Sequence, residues 1–166
     1  AAGTMGAAGA ALSAGWHASS GPLNAGFSRD AWWLRIDLER TAASSPVWLL
    51  EVNNAVLDDL RLYRRTTVDH WETHVAGEDI PRDQWDVSYR NPVFRLELNA
   101  PGRHTLFLRI SPRNSISAQI TLWNPAEFGD ASREESLAYG LLLGTYATIA
   151  LIHLIFWRWT REKTWG

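Results

Sequence analysis

Three groupings of side chains carry residue types that could do chemistry. His70 and His74 in the segment VDHWETHV are four apart, the separation a zinc-binding helix uses. Acids stand in adjacent pairs, Asp58-Asp59 and Glu78-Asp79. Trp71, Trp85, Tyr89, Arg90 and Asn91 gather aromatic rings, a guanidinium and an amide into a short stretch. The first grouping fails on geometry: VDHWETHV reads as a strand, and residues four apart on a strand stand roughly 13 Å from each other, too far to share an ion. The acid pairs read as turn residues, since a two-carboxylate site needs groups converging across a cleft. No serine sits in a nucleophile-elbow motif and no glycine-rich phosphate loop is present. Zero cysteines exclude a thiol nucleophile, a Cys-ligated zinc site and a disulfide scaffold. The expectation is therefore no catalytic residue, no metal, no cofactor and no enzymatic activity in this segment.

The aromatics are the better clue. By strand phasing, Trp33, Trp71, Trp85, Tyr89 and Trp123 fall on outward or loop positions. Flat aromatic faces beside Arg, Asp and Asn suit sugar rings and other amphipathic ligands, the ring giving apolar contact and the polar groups reading hydroxyls or carboxylates. Ala76 to Asn91, AGEDIPRDQWDVSYRN, is long for a hairpin loop and without clear periodicity, the kind of loop that often carries function. Trp71, Trp85, Tyr89, Arg90 and Asn91 are the candidate ligand contacts. The competing reading has these rings close the ends of the fold, or face a partner protein, with Arg90-Asn91-Pro92 a plain strand entry.

The elements that must position these residues alternate with period two. Trp32, Leu34, Ile36 and Leu38 alternate with Trp33, Arg35 and Asp37, the pattern of a half-buried strand. The same holds around Trp48, Leu50 and Val52, Leu60 and Leu62, Phe94, Leu96 and Leu98, Leu106, Leu108 and Ile110, and Ile120 and Leu122. Turn chemistry falls between them, as at Ser44-Ser45-Pro46, Asn53-Asn54 and Asn99-Ala100-Pro101-Gly102. Seven or eight short strands without an intervening helical pattern predict an all-β chain folded as an antiparallel β-sandwich, either jelly roll or immunoglobulin-like. A net charge of −2 with no Lys/Arg stripe argues against a nucleic-acid partner.

The C-terminal part differs in kind. Leu137 to Trp157 holds no Asp, Glu, Lys or Arg and is long enough, about 21 residues, to cross roughly 30 Å of hydrocarbon as a helix. The mean hydropathy of −0.21 averages this segment with a polar outer domain. Arg133, Glu134 and Glu135 precede the span and Arg158, Arg161 and Lys163 follow it, so the positive-inside rule puts everything before residue 137 outside the membrane and the C-terminus in the cytoplasm. Gly140 and Gly144, with Thr145, Tyr146, Thr148 and His153, suit contact with further helices, as in a fragment ending after the first of several spans. Asn124 and Pro125 supply an N-cap and a first helical residue for a helix that runs on, with a break at Gly129, into the span. The organisation expected is a leader or signal-peptide remnant over 1–22, the β-sandwich over 23–124, a connecting helix over 125–136, a transmembrane helix over 137–157 and a cytoplasmic start over 158–166.

Gly26-Phe27-Ser28 through Trp33-Leu34-Arg35-Ile36-Asp37-Leu38, then Leu50-Glu51-Val52-Asn53-Asn54 with Leu57-Asp58-Asp59-Leu60-Arg61-Leu62-Tyr63, resemble the type-two extracellular domain of bacterial 7TMR-DISM proteins, seven-helix receptors with diverse intracellular signalling modules. Ala76-Gly77, Ile80-Pro81, Arg90-Asn91-Pro92 with Phe94, Leu106-Phe107-Leu108-Arg109, and Leu122-Trp123 with Pro125 and Phe128 continue the resemblance. Tyr139-Gly140-Leu141-Leu142-Leu143-Gly144 looks like the start of that family's seven-helix region. Asn114 to Ile120 departs from it, lacking a Leu-Pro, and His153 stands where many relatives have Asn. The resemblance implies a periplasmic jelly roll similar to carbohydrate-binding modules. It would sense a carbohydrate or other small ligand and signal to an output module such as a diguanylate cyclase or histidine kinase. The expected partners are that ligand, the inner membrane and a possible second copy in a homodimer; the alternative is a protein-interaction or dimerisation module with no small-molecule ligand.

Overall fold

The structure, a computed structural model, describes residues 16–17, 21–27, 30–66, 70–111, 113 and 115–162. Most of the expected leader and Lys163 lie outside the described residues. The chain divides into two compact units, residues 1–125 and 126–166.

The first unit is antiparallel β-structure in three sheets. In chain order the strands are β1 (Leu23–Phe27), β2 (Trp32–Arg40), β3 (Val47–Val52), β4 (Asp59–Arg65), β5 (Trp71–Ala76), β6 (Val93–Glu97), β7 (Gly102–Ser111), β8 (Ser115–Ala118) and β9 (Ile120–Trp123). One sheet runs β2-β7-β4-β5, a second β6-β3-β9, and β1 pairs with β8 alone. Alternation decides what each strand buries. Leu60 and Leu62 of β4, Leu106, Leu108 and Ile110 of β7, Leu50 and Val52 of β3, and Phe94 and Leu96 of β6 meet in one buried cluster. Two sheets thus share a core, each giving it one face, as the hydrophobic pattern requires. Leu34, Ile36 and Leu38 of the edge strand β2 are only half-buried against it.

β1 and β8 are absent from the sequence reading for a physical reason. Their register slips between Asn24 and Gly26, where Gly26 takes a φ of +64°, and such a bulge breaks the period-two signal. β8, SISA, is also too short and too rich in serine to show one.

The second unit is one helix, α1 (Pro125–Glu162), starting at the proline that the capping pattern marks. It runs through Gly129 without a break, correcting the kink expected there; glycine costs a helix only ~1 kcal/mol. It is the one helix among the described residues long and apolar enough to cross a membrane. The hydroxyls of Thr145 and Thr148 donate to the carbonyls of Leu141 and Gly144, at 2.9 and 2.8 Å. Their polarity is met within the helix itself, as an apolar environment demands.

Candidate functional site

The stretch from Gly77 to Asn91, between β5 and β6, has little regular structure yet is fixed along its length. Gly77 has a φ of +126°, and a Cβ there would lie 2.3 Å from the Asp58 carbonyl oxygen, so only glycine allows this approach. The amides of Glu78 and Asp79 then donate to the carbonyls of Leu57 and Asp58, at 2.9 and 3.0 Å. An open depression of about 580 Å³ lies over Gly77, Glu78, Asp79, Ile80, Pro81 and Arg82. A single 3-10 turn, Arg82–Gln84, follows and delivers Trp85 inward.

Trp85 corrects the strand phasing. It is 7% exposed and belongs to the core cluster, its indole N–H donating to the Ile80 carbonyl at 3.1 Å and its ring capped by the Arg82 guanidinium 3.9 Å away. Arg82 also donates to the Tyr89 carbonyl. Asn91 is likewise buried, at 4%. Its amide donates to Glu51 Oε1 at 2.7 Å and Asn53 Oδ1 at 3.2 Å, while Glu51 Oε2 accepts the indole N–H of Trp123 at 2.7 Å. A buried carboxylate needs donors to offset its lost hydration, and these two neutral groups supply them. The outcome is a polar bridge from the end of the loop, through β3, to the last residue of β9.

The remaining candidates separate. Tyr89 is half-buried and Arg90 exposed, with the Arg90 guanidinium 6.0 Å from the Tyr89 ring. Trp71 is the first residue of β5, roughly 17 Å of strand away from where the loop departs. It stands on the outward face of the four-stranded sheet, its ring centroid 5.8 Å from that of Phe107. Trp16, inside the stretch set apart as a leader, also meets Phe107, at 5.9 Å.

Sequence reasoning missed an ionic cluster where β5 faces the loop. His74 Nδ1 lies 2.6 Å from Asp86 Oδ2, which also accepts the Arg95 amide at 2.9 Å. Glu72 bonds Arg64 across the β4–β5 pair, and His74 Nε2 lies 3.5 Å from Glu72 Oε1. The Asp86 hydrogen bond raises the His74 pKa above its ordinary value against the opposing effect of burial, with the charges of Asp86 and Glu72 adding to the rise. The signal was present in the alternation, which puts Glu72 and His74 on the same inward face as Ala76, but a polar residue on an inward phase names no partner. His70 lies outside β5, and among the described residues no group of three His, Asp or Glu is placed to hold a metal.

Neither the curated proteins nor the solved structures compared with the chain include a match. A family model does match, over residues 3–124, from within the expected leader to the residue after β9. The chain therefore belongs to the family described as 7TMR-DISM extracellular 2, the extracellular sensor domains of membrane receptors.

Proposed function

We propose that this chain is the ligand-sensing part of its receptor: a jelly-roll domain, similar to carbohydrate-binding modules, that takes a carbohydrate or other small ligand in the periplasm. The signal passes through the first of several membrane spans to a cytoplasmic output module such as a diguanylate cyclase or histidine kinase. The observation that carries the reading is the buried bridge Asn91–Glu51–Trp123. It ties the long loop to the strand that leads, through Asn124 alone, into α1. A ligand favouring one of two arrangements of the loop shifts the population of states of that last strand, and the helix inherits the shift.

In this reading Trp85 and Asn91 are framework. Trp71, Tyr89 and Arg90 are the proposed ligand contacts. The charge asymmetry about the apolar segment, with arginines following it, supports a cytoplasmic C-terminus. Calorimetric titration of the full chain in lipid discs against glycans and small anions tests the proposal. The expected result is saturable binding that weakens at least severalfold in Trp71→Ala or Arg90→Ala. No binding, together with self-association abolished by Trp71→Ala, would replace it with the interaction-module reading.

A further inference from the structure

The outward face of the four-stranded sheet carries an imbalance of charge that the fold itself does not need. Register sets Arg61 of β4 directly opposite Arg109 of β7, with Trp33 of β2 opposite Arg109 on its other side. Like charges so placed weaken an antiparallel pair. One carboxylate serves both: Asp59 Oδ1 accepts from Arg61 Nε at 3.0 Å, and Oδ2 from Arg109 Nη1 at 3.1 Å. Two guanidinium groups against one carboxylate leave this spot positive in a chain whose net charge is −2. The arginine side chains are 35% and 24% exposed, partly withdrawn from water and still reachable.

Beside them lies an aromatic floor. Tyr63 and Phe107 are paired across β4 and β7 and buried to 3% and 2% exposure; Trp33 stacks on Tyr63 at 5.6 Å between centroids. The Tyr63 hydroxyl is buried beside the Arg61 guanidinium and makes no well-aligned hydrogen bond among the described residues. A buried hydroxyl without a well-aligned bond is a standing cost to the fold. The like-charge opposition and this hydroxyl meet at Arg61, and a ligand oxyanion bound there would relieve the opposition.

We propose that this face binds a small ring compound bearing a carboxylate, the carboxylate taken by the Arg61–Arg109 pair and the ring lying against Trp33. The planar guanidinium fork matches a carboxylate in two parallel hydrogen bonds, which a neutral hydroxyl cannot reproduce. The inference rests on the sensor reading for its premise that the domain meets small ligands, but it uses a surface separate from Tyr89 and Arg90.

The test is calorimetric titration of the full chain in lipid discs with galacturonate and benzoate, and with galactose and benzyl alcohol as their neutral counterparts. The expected result is saturable binding of one carboxylate, at least tenfold tighter than its neutral counterpart and weakening with added salt. Which of the two binds tells an acidic sugar from an aromatic acid. Arg61→Gln and Arg109→Gln each weaken it at least tenfold, and Arg95→Gln, at an exposed arginine of the other sheet, leaves it unchanged. Tyr63→Phe, which removes the hydroxyl beside Arg61, keeps the fold and also weakens binding, so the site is tested even where an arginine variant fails to fold. Equal affinity for a carboxylate and its neutral counterpart, or loss in Arg90→Ala with none in Tyr63→Phe and the arginine variants, overturns the anion site and leaves the sensor reading standing. Silence from all four compounds overturns the anion site, and silence joined to self-association lost in Trp71→Ala removes the sensor reading with it.

Discussion

The stretch from Gly77 to Asn91 and the outward face of the sheet β2-β7-β4-β5 reverse each other's appearance. The first has loop composition and almost no regular structure, yet Trp85 and Asn91 inside it are buried. The second is regular strand, yet it carries two opposed arginines that share one carboxylate, beside the rings of Trp33 and Trp71. Irregular backbone is therefore no measure of freedom here. A loop is held where its side chains find buried partners, and a regular strand face carries charges that register sets against each other.

The sharpest way to break this contrast is to truncate within the loop. Trp85→Ala empties a core position and should cost about 3–5 kcal/mol, whereas Arg90→Ala, five residues on and exposed, should stay within ~0.5 kcal/mol. Urea unfolding followed by far-UV circular dichroism measures both, and equal small effects would make the loop an ordinary surface connection. Gly77→Ala comes next. It forces a side chain into a positive-φ position against the Asp58 carbonyl, at a cost of about 2–3 kcal/mol by the same assay. Asn91→Ala removes one of the two donors to the Glu51 carboxylate and should cost about 1–3 kcal/mol.

A smaller effect tests the loop's ionic edge. The raised His74 pKa means that the folded state holds its proton more tightly than the unfolded chain does. The stability this adds is fully present below the unfolded value, near ~6.5, and is lost as pH rises through the raised one. Arg64, Glu72 and Asp86 are the charged groups around it. The melting temperature should fall with rising pH across this window in the parent chain, and the slope should flatten in His74→Gln. The smallest expected effect lies on the sheet face. Arg61→Gln relieves one like-charge opposition while losing one bond to Asp59, so its net change in stability should lie within about 0.5 kcal/mol.

Much of the fold was legible in period-two alternation because one face of each long strand must be apolar to reach the shared core. The strands around Leu34, Leu50, Leu62, Phe94, Leu108 and Ile120 follow directly from it, as does the long apolar helix. β1 and β8 were not legible, since a bulge at Gly26 and a four-residue serine-rich segment carry no period. Trp85 was misplaced because strand phase has no meaning after a 3-10 turn, and its indole is held inward by the Ile80 carbonyl. The pairing of Asn91 with Glu51, and of Arg61 with Arg109, joins residues far apart in sequence. Composition lists such groups, but only register brings them together.

Through Glu51 the inner end of the loop is bonded to the last strand before the helix. Backbone hydrogen exchange of the full chain in lipid discs, compared with Asn91→Ala, tests that link most directly. The expected result is faster exchange in β9 and at the amides of Val52 and Asn53, which donate to the Pro92 and Gln119 carbonyls, with the β2–β7 pair unchanged. Unaltered exchange in β9, or a uniform rise across the whole β domain, would contradict it.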